Sequence, residues 1–168
     1  PQLIADLGTG SGAIALAIAC ERPHCQIIAT DIAAAAIETA RHNARQLGIH
    51  SIAFLTGDWC GPLAGMQFNM IVSNPPYIAE ADPHLLADDV RFEPRSALVA
   101  GPQGMDDLIR ITRCAANHLQ AGGWLLMEHG YDQGVQAREL LEHNGFMDVI
   151  DYTDDAGQDR VIAGRYGR

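Results

Sequence analysis

The chain opens with a short apolar run, "LIADL" (3–7), that passes straight into "GTGSG" and then into "AIALAIACER" (13–22). Few architectures begin this way. The aliphatic run reads as a buried strand, the dense glycines as a tight turn, and the longer stretch as a helix. The same alternation continues. "QIIAT" (26–30) is a second strand, and a helix follows over about 33–47, stopped by Gly48. "SIAFL" (51–55) and "FNMIVS" (68–73) are further strands. A helix over about 105–120, the turn "AGG", a strand "WLLME" (124–128) and a helix over about 133–144 come next. Two last strands, about 146–152 and 159–165, are joined by "DDAGQD" with no helix between them.

Strands that alternate with helices predict a doubly wound, mostly parallel seven-stranded α/β sheet with helices on both faces. The two final strands, lacking a crossover helix, are expected to form a terminal antiparallel hairpin. Residues 78–104 interrupt the pattern with three prolines and several acids and are expected to be an inserted loop or short hairpin. The 168 residues suffice for one domain, expected to span 1–168.

Charge narrows the function. The formal net charge is −10, and all eleven basic residues are arginine, so lysine-based Schiff-base and P-loop chemistry is excluded. Acidity also lowers the expectation of nucleic-acid binding, which relies on basic groups that displace counterions. No apolar run is long enough to cross a bilayer, so no membrane contact and a cytoplasmic location are expected, with the chain a monomer. The four cysteines show neither Cys-x-x-Cys pairing nor zinc spacing with histidine, so buried reduced thiols and no metal are expected.

The loop "ADLGTGSGA" (5–13) falls at the first strand-to-helix junction, where open α/β sheets bind ligands. Gly8, Gly10 and Gly12 let the backbone turn and approach a ligand closely, and the helix start offers free N–H groups. Asp31, at the end of the second strand, is placed to accept hydrogen bonds from ribose hydroxyls. Gly8-x-Gly10-x-x-Ala13 also fits the relaxed dinucleotide fingerprint, which keeps a nicotinamide or flavin enzyme open. Asp6, just before the loop, favours S-adenosylmethionine, whose sulfonium and ammonium suit an acidic entrance and which has no pyrophosphate. Asp58 and Trp59 end the third strand, where an acid beside an aromatic ring can take the adenine amino group.

"NPPY" (74–77) ends the fourth strand at the same sheet edge. Pro75 and Pro76 restrain the local backbone and donate no hydrogen bonds. The Asn74 side-chain oxygen and the Pro75 carbonyl can then converge on one NH₂ group, which offers two donors, while Tyr77 stacks on a flat substrate. Orientation matters here because an amide nitrogen, its lone pair delocalised, is a poor nucleophile.

Together "DLGTGSGAIAL", "TD" (30–31), "GDW" (57–59) and "SNPPYI" resemble the class I S-adenosylmethionine-dependent methyltransferases. More narrowly they resemble the HemK/PrmC family, which methylates the glutamine side-chain amide of peptide-chain release factors. "DVRFEPRSALVAGPQGMDD" (89–107), "LLMEHGYDQG" (125–134) and "DRVIAGR" (159–165) extend the likeness over nearly the whole chain. The resemblance implies cofactor contacts from Gly8, Thr9, Gly10, Gly12, Asp31 and Trp59. It implies substrate contacts from Asn74, Pro75, Pro76 and Tyr77, with the glutamine of the release factor's Gly-Gly-Gln motif as acceptor and S-adenosylhomocysteine as product. Ser11 stands where threonine is commoner in the family. The family carries a helical N-terminal domain before this sheet, so the chain is expected to be one domain of a longer protein.

Asn-Pro-Pro-Tyr also serves adenine-N6 methyltransferases of nucleic acids, the main alternative, which would flip a base into the same pocket. A methyltransferase-like binding module would be marked by a ruined glycine loop or a lost Asn74, and neither is present. Glu93 is read as structural, Glu128 and His129 as a hydrogen-bonded wall, and Arg160 and Arg165 as partners of nearby acids.

Overall fold

The computed structural model describes residues 2–80 and 98–167. Seven strands form one sheet in the order β3-β2-β1-β4-β5-β7-β6. They are β1 (Leu3–Leu7), β2 (Gln26–Asp31), β3 (Ile52–Thr56), β4 (Phe68–Ser73), β5 (Leu119–Glu128), β6 (Phe146–Thr153) and β7 (Asp159–Tyr166). The first five pair in parallel, while β7 runs antiparallel to both β5 and β6. The expected parallel sheet and terminal hairpin are both present, with β7 inserted between β5 and β6.

Side chains along a strand alternate between faces, and each face has its own core. Ile4, Ile27 and Ala29 pack with α1 (Ala13–Glu21) and α2 (Ala34–Gln46) through Ala15, Ala19, Ile37 and Ala40. On the other face Ala5, Leu7, Ile71 and Leu125 meet α3 (Asp106–His118) and α4 (Gly134–His143) through Leu108, Ile111, Ala115 and Leu141. The small inner face of α1 brings it close to the sheet. A Cβ on Gly12 would stand 3.0 Å from the Ala40 Cβ, so the same economy of size lets α1 begin against α2.

Three expectations need correction or narrowing. Strand β5 starts at Leu119, before the "AGG" read as a turn. Its register with β4 steps from Phe68↔Leu119 to Met70↔Trp124, so the glycines form a bulge inside the strand, with Gly122 at φ 78°. Second, the ends of the 78–104 excursion meet in parallel: Ile78 bridges Val99, with Ile78 N–H donating to the Leu98 carbonyl at 2.9 Å. A plain hairpin would join its ends antiparallel, so of the two expected forms, loop or short hairpin, only the hairpin is set aside; residues 81–97, including Glu93, lie outside the described residues.

The third correction concerns the cysteines. Cys60 and Cys114 are joined by a disulfide across a sequence separation of 54, and Cys20 is exposed; of the four, only Cys25 is a buried free thiol. The pairing brings the turn after β3 against α3, a proximity that no local spacing announces. Among the described residues no helix is long and apolar enough to cross a membrane, and no group of three His, Cys, Asp or Glu side chains converges as metal ligands.

Candidate cofactor and methyl-acceptor site

β1 lies between β2 and β4, so the winding reverses between β1 and β4, the place where open α/β sheets leave a crevice. The register pairs Leu7 with Ser73, and the Ser73 hydroxyl donates to the Leu7 carbonyl at 2.7 Å. The next residues, Gly8 and Asn74, therefore leave the sheet side by side. The glycine loop and the Asn-Pro-Pro-Tyr segment are brought to one edge, as the sequence predicts.

The loop is fixed from beneath. Gly8 and Thr9 N–H groups both donate to the Thr30 carbonyl at 2.9 Å, and Gly12 N–H donates to the Thr9 carbonyl at 2.8 Å. Gly10, at φ 55°, has open space where a Cβ would stand, so no protein neighbour accounts for its lack of a side chain. Asp31 holds the loop's outer edge: its carboxylate accepts from Gly10 N–H at 2.8 Å through one oxygen and from Ala33 N–H at 2.8 Å through the other. An ionised carboxylate offers about four lone-pair sites, so two remain for a ligand diol.

Asp6 is fully buried under this loop. One oxygen accepts from the Thr9 hydroxyl at 2.6 Å and from Ala15 N–H at 3.2 Å. The other, Oδ1, has no hydrogen-bond partner among the described residues. Burial pushes the Asp6 carboxyl up to about 6, against the lowering effect of Thr9 and Ala15. Because the folded value lies above the unfolded one, the proton favours folding below about pH 4, and that contribution fades as pH rises through about 6. A cation over the loop has the opposite preference, since it favours the ionised carboxylate. S-adenosylmethionine affinity, measured by calorimetry, is therefore expected to rise between pH 5 and pH 7 and to lose that rise in Asp6→Asn, while the ligand's own amine stays protonated. A flat wild-type profile would remove Asp6 from the electrostatics of binding.

Trp59 closes the side of the loop. Its ring lies so near Gly8 that a Cβ there would stand 2.8 Å from Cζ3. Trp59 has φ 43°, unusual for a bulky residue, and its carbonyl accepts from the Thr30 hydroxyl at 2.9 Å. Asp58 is exposed but forms an ion pair with Arg110 of α3, a partner the sequence reading does not assign. Arg110 also reaches Asp107 at 3.3 Å. Asp107 titrates above the ordinary carboxylate range because burial outweighs the nearby arginine.

Just after β4, Asn74 is exposed and its side chain forms no hydrogen bond with any described residue, whereas Pro75 is buried. No peptide bond among the described residues is cis. The Tyr77 hydroxyl donates to Glu128 at 2.9 Å, and burial together with that carboxylate pushes the phenol up to about 12. The ring is thereby tied to β5, its plane set by a partner that sequence reasoning assigned only to the wall. His129 has no exposed surface and reaches Asp151 at 3.1 Å through Nε2. Arg160 and Arg165 pair with Asp154 and Asp148, as expected. One residue missed from sequence is Gln133, whose buried amide touches the Tyr77 carbonyl at 3.0 Å.

A mostly parallel sheet thus carries a glycine loop at the end of β1, Asp31 at the end of β2 and Asn-Pro-Pro-Tyr after β4, all at one edge. The chain belongs to the methyltransferase small domain family, whose model matches residues 1–92. Use of S-adenosylmethionine goes with that membership.

Among relatives, a protein of Xylella fastidiosa (strain 9a5c) named release factor glutamine methyltransferase is 54% identical over 162 residues, 96% of this chain and 59% of that protein. The Escherichia coli (strain K12) protein of the same name is 52% identical over 166 residues, 99% of this chain and 60% of that one. The chain thus spans about three-fifths of the length of these curated relatives.

Solved structures share the fold at low identity. A Pyrococcus furiosus methyltransferase superposes with a TM-score of 0.74 at 19% identity, covering 99% of this chain and 76% of that one. A Thermus thermophilus 16S rRNA N2 G1207 methyltransferase, solved with AdoMet and guanosine, gives 0.65 at 18%, covering 98% and 37%.

Proposed function

We propose that this chain carries a methyl group from S-adenosylmethionine to the side-chain amide nitrogen of the glutamine in the Gly-Gly-Gln motif of peptide-chain release factors. The observation that carries the reading is the side-by-side exit of Gly8 and Asn74 from paired strands, which supports reading the two loops as donor and acceptor loops. The names of relatives about half identical in sequence support glutamine in release factors as the acceptor. A cytoplasmic site of action and a monomeric working unit belong to the same reading.

The residues present fit the donor. Gly8, Thr9, Gly10 and Gly12 form a backbone cradle with open space at Gly10, Asp31 keeps lone pairs for a ribose, and the open Asp6 oxygen lies beneath the position of a cation. Trp59 and the free oxygen of Asp58 would border the adenine, and Asn74 would face both donor and acceptor. When bound, S-adenosylmethionine supplies an activated methyl on sulfonium sulfur, which leaves as a neutral thioether and needs no metal.

The protein's own part is orientation. The Asn74 side-chain oxygen and the Pro75 carbonyl accept the two N–H bonds of the glutamine amide and fix its plane. They also favour the positive charge that develops on nitrogen as its bond to the methyl forms and the methyl–sulfur bond breaks, and the N–H proton then passes to solvent water. Tyr77, its hydroxyl held by Glu128, supports the flat amide from the side.

Asp31→Ala is expected to weaken S-adenosylmethionine binding by about 10- to 100-fold, since about 1.5–3 kcal/mol is typical of hydrogen bonds to a charged group. Unchanged calorimetric affinity would take Asp31 out of the ribose role. The function itself is tested by mass spectrometry of an intact release factor incubated with this chain and S-adenosylmethionine. One added methyl on the Gly-Gly-Gln glutamine is the expected result. Methyl appearing instead on adenine of an oligonucleotide in the same mixture, or on neither, overturns the assignment.

A further inference from the structure

Gln133 is a buried side chain that neither the donor nor the acceptor assignment uses, and every part of its amide is engaged. Its oxygen accepts from Gly130 N–H at 2.8 Å, and its nitrogen donates to the Tyr77 carbonyl at 3.0 Å and to the Gln103 carbonyl at 3.2 Å. Those partners lie on three separate segments: the turn after β5, the exit from Asn-Pro-Pro-Tyr, and the chain returning towards α3. Joining them takes one acceptor and two donors at the end of a side chain. Glutamate lacks the donors and lysine lacks the acceptor.

Besides this grip, the segment is tied by the Tyr77 hydroxyl to Glu128 and by Ile78 to Leu98 and Val99. Pro75 and Pro76 have no N–H to donate. The chain around the Tyr77 carbonyl is also closely packed, because a Cβ on Gly104 would stand 2.1 Å from that oxygen and 2.8 Å from the Gln133 nitrogen. Gly104 has φ 70°, which glycine adopts freely. Glycine at 104 and glutamine at 133 thus form one fitting around a single carbonyl.

We propose that Gln133 is a positioning residue for methyl transfer: it bolts the Tyr77 carbonyl to the β5–α4 turn and so holds Asn74 and Pro75 in line with the donor. This inference rests on the function proposed above. It places a determinant of turnover outside the donor loop, since the Gln133 side chain bonds only to Gly130, Tyr77 and Gln103 among the described residues.

The test compares wild type with Gln133→Met, which fills similar space without an amide, and Gln133→Glu, which keeps the acceptor for Gly130 and loses both donors. Turnover on an intact release factor is expected to fall about 10- to 100-fold in both, the scale of a small misplacement of reacting groups. S-adenosylmethionine affinity should stay unchanged. A wild-type rate in Gln133→Glu, or a cofactor affinity that falls in step with turnover, overturns the proposal. If Gln133→Met does not fold, Gln133→Glu is the variant to read.

A second readout does not depend on activity. In the S-adenosylhomocysteine complex, the Asn74 side-chain amide and Ile78 backbone amide resonances should shift in both variants while those of Gly8 to Gly12 stay in place. Unmoved Asn74 and Ile78 resonances overturn the bolt even if wild type methylates. A wild type that transfers no methyl removes the parent reading, and the resonances still decide the role of Gln133.

Discussion

Asn74→Ala is expected to lose nearly all methyl transfer while binding S-adenosylmethionine as wild type does. The expected loss follows from what the side chain does at the reacting atom. In the proposed function its oxygen is one of two acceptors that orient the glutamine NH₂ and favour the charge developing on nitrogen, and removing one preorganised group of this kind raises a barrier by about 2–4 kcal/mol. At about 1.4 kcal/mol per tenfold, that is roughly 30- to 1,000-fold in turnover. The structure supports a clean separation of effects. Asn74 is exposed and makes no side-chain hydrogen bond with a described residue, so its truncation leaves the strand and the glycine loop intact. Single-turnover rates by mass spectrometry and affinities by calorimetry check both halves, and a near-normal rate would sink the amide clamp.

Reducing the Cys60–Cys114 disulfide is expected to destabilise the domain by about 4 kcal/mol, the chain-entropy value for a closed loop of this length. The bond joins the turn that carries Trp59 to α3, one helical turn beyond Arg110, which grips Asp58 in the same turn. Two links from one helix face thus hold the wall beside Gly8. Denaturant unfolding with and without reductant should show a lower midpoint when the bond is broken, and Cys60→Ser/Cys114→Ser should reproduce it. An unchanged midpoint would mean that the link does not constrain the unfolded chain.

What could be read from sequence was local. The strand–glycine–helix start, Asp31 at a strand end and Asn74 before two prolines each carry their signal within a few residues, and strand order then brings all three to one edge. The alternation of short apolar runs with helical stretches was enough for the parallel sheet, and the missing helix before β7 for the antiparallel hairpin.

The misses share a physical cause. Cys60 meets Cys114, Asp58 meets Arg110, and Tyr77 meets both Glu128 and Gln133 only after helices pack on the sheet. Such contacts between distant segments leave no spacing to find. The "AGG" bulge failed differently: glycines that mark a turn also mark a strand that swells and continues. Gln133 had one available signal, an uncharged amide at the start of a helix beside two glycines, but that pattern serves many ordinary helix starts.

The winding order also bears on how such a protein changes over generations. Every residue assigned to the donor alone precedes position 60, on β1 to β3 and their exits, while the acceptor loop and its supports follow Ser73. A lineage can therefore exchange one methylated group for another by changes after Ser73, provided that α3 keeps Arg110 and Cys114, which hold the Asp58–Cys60 turn.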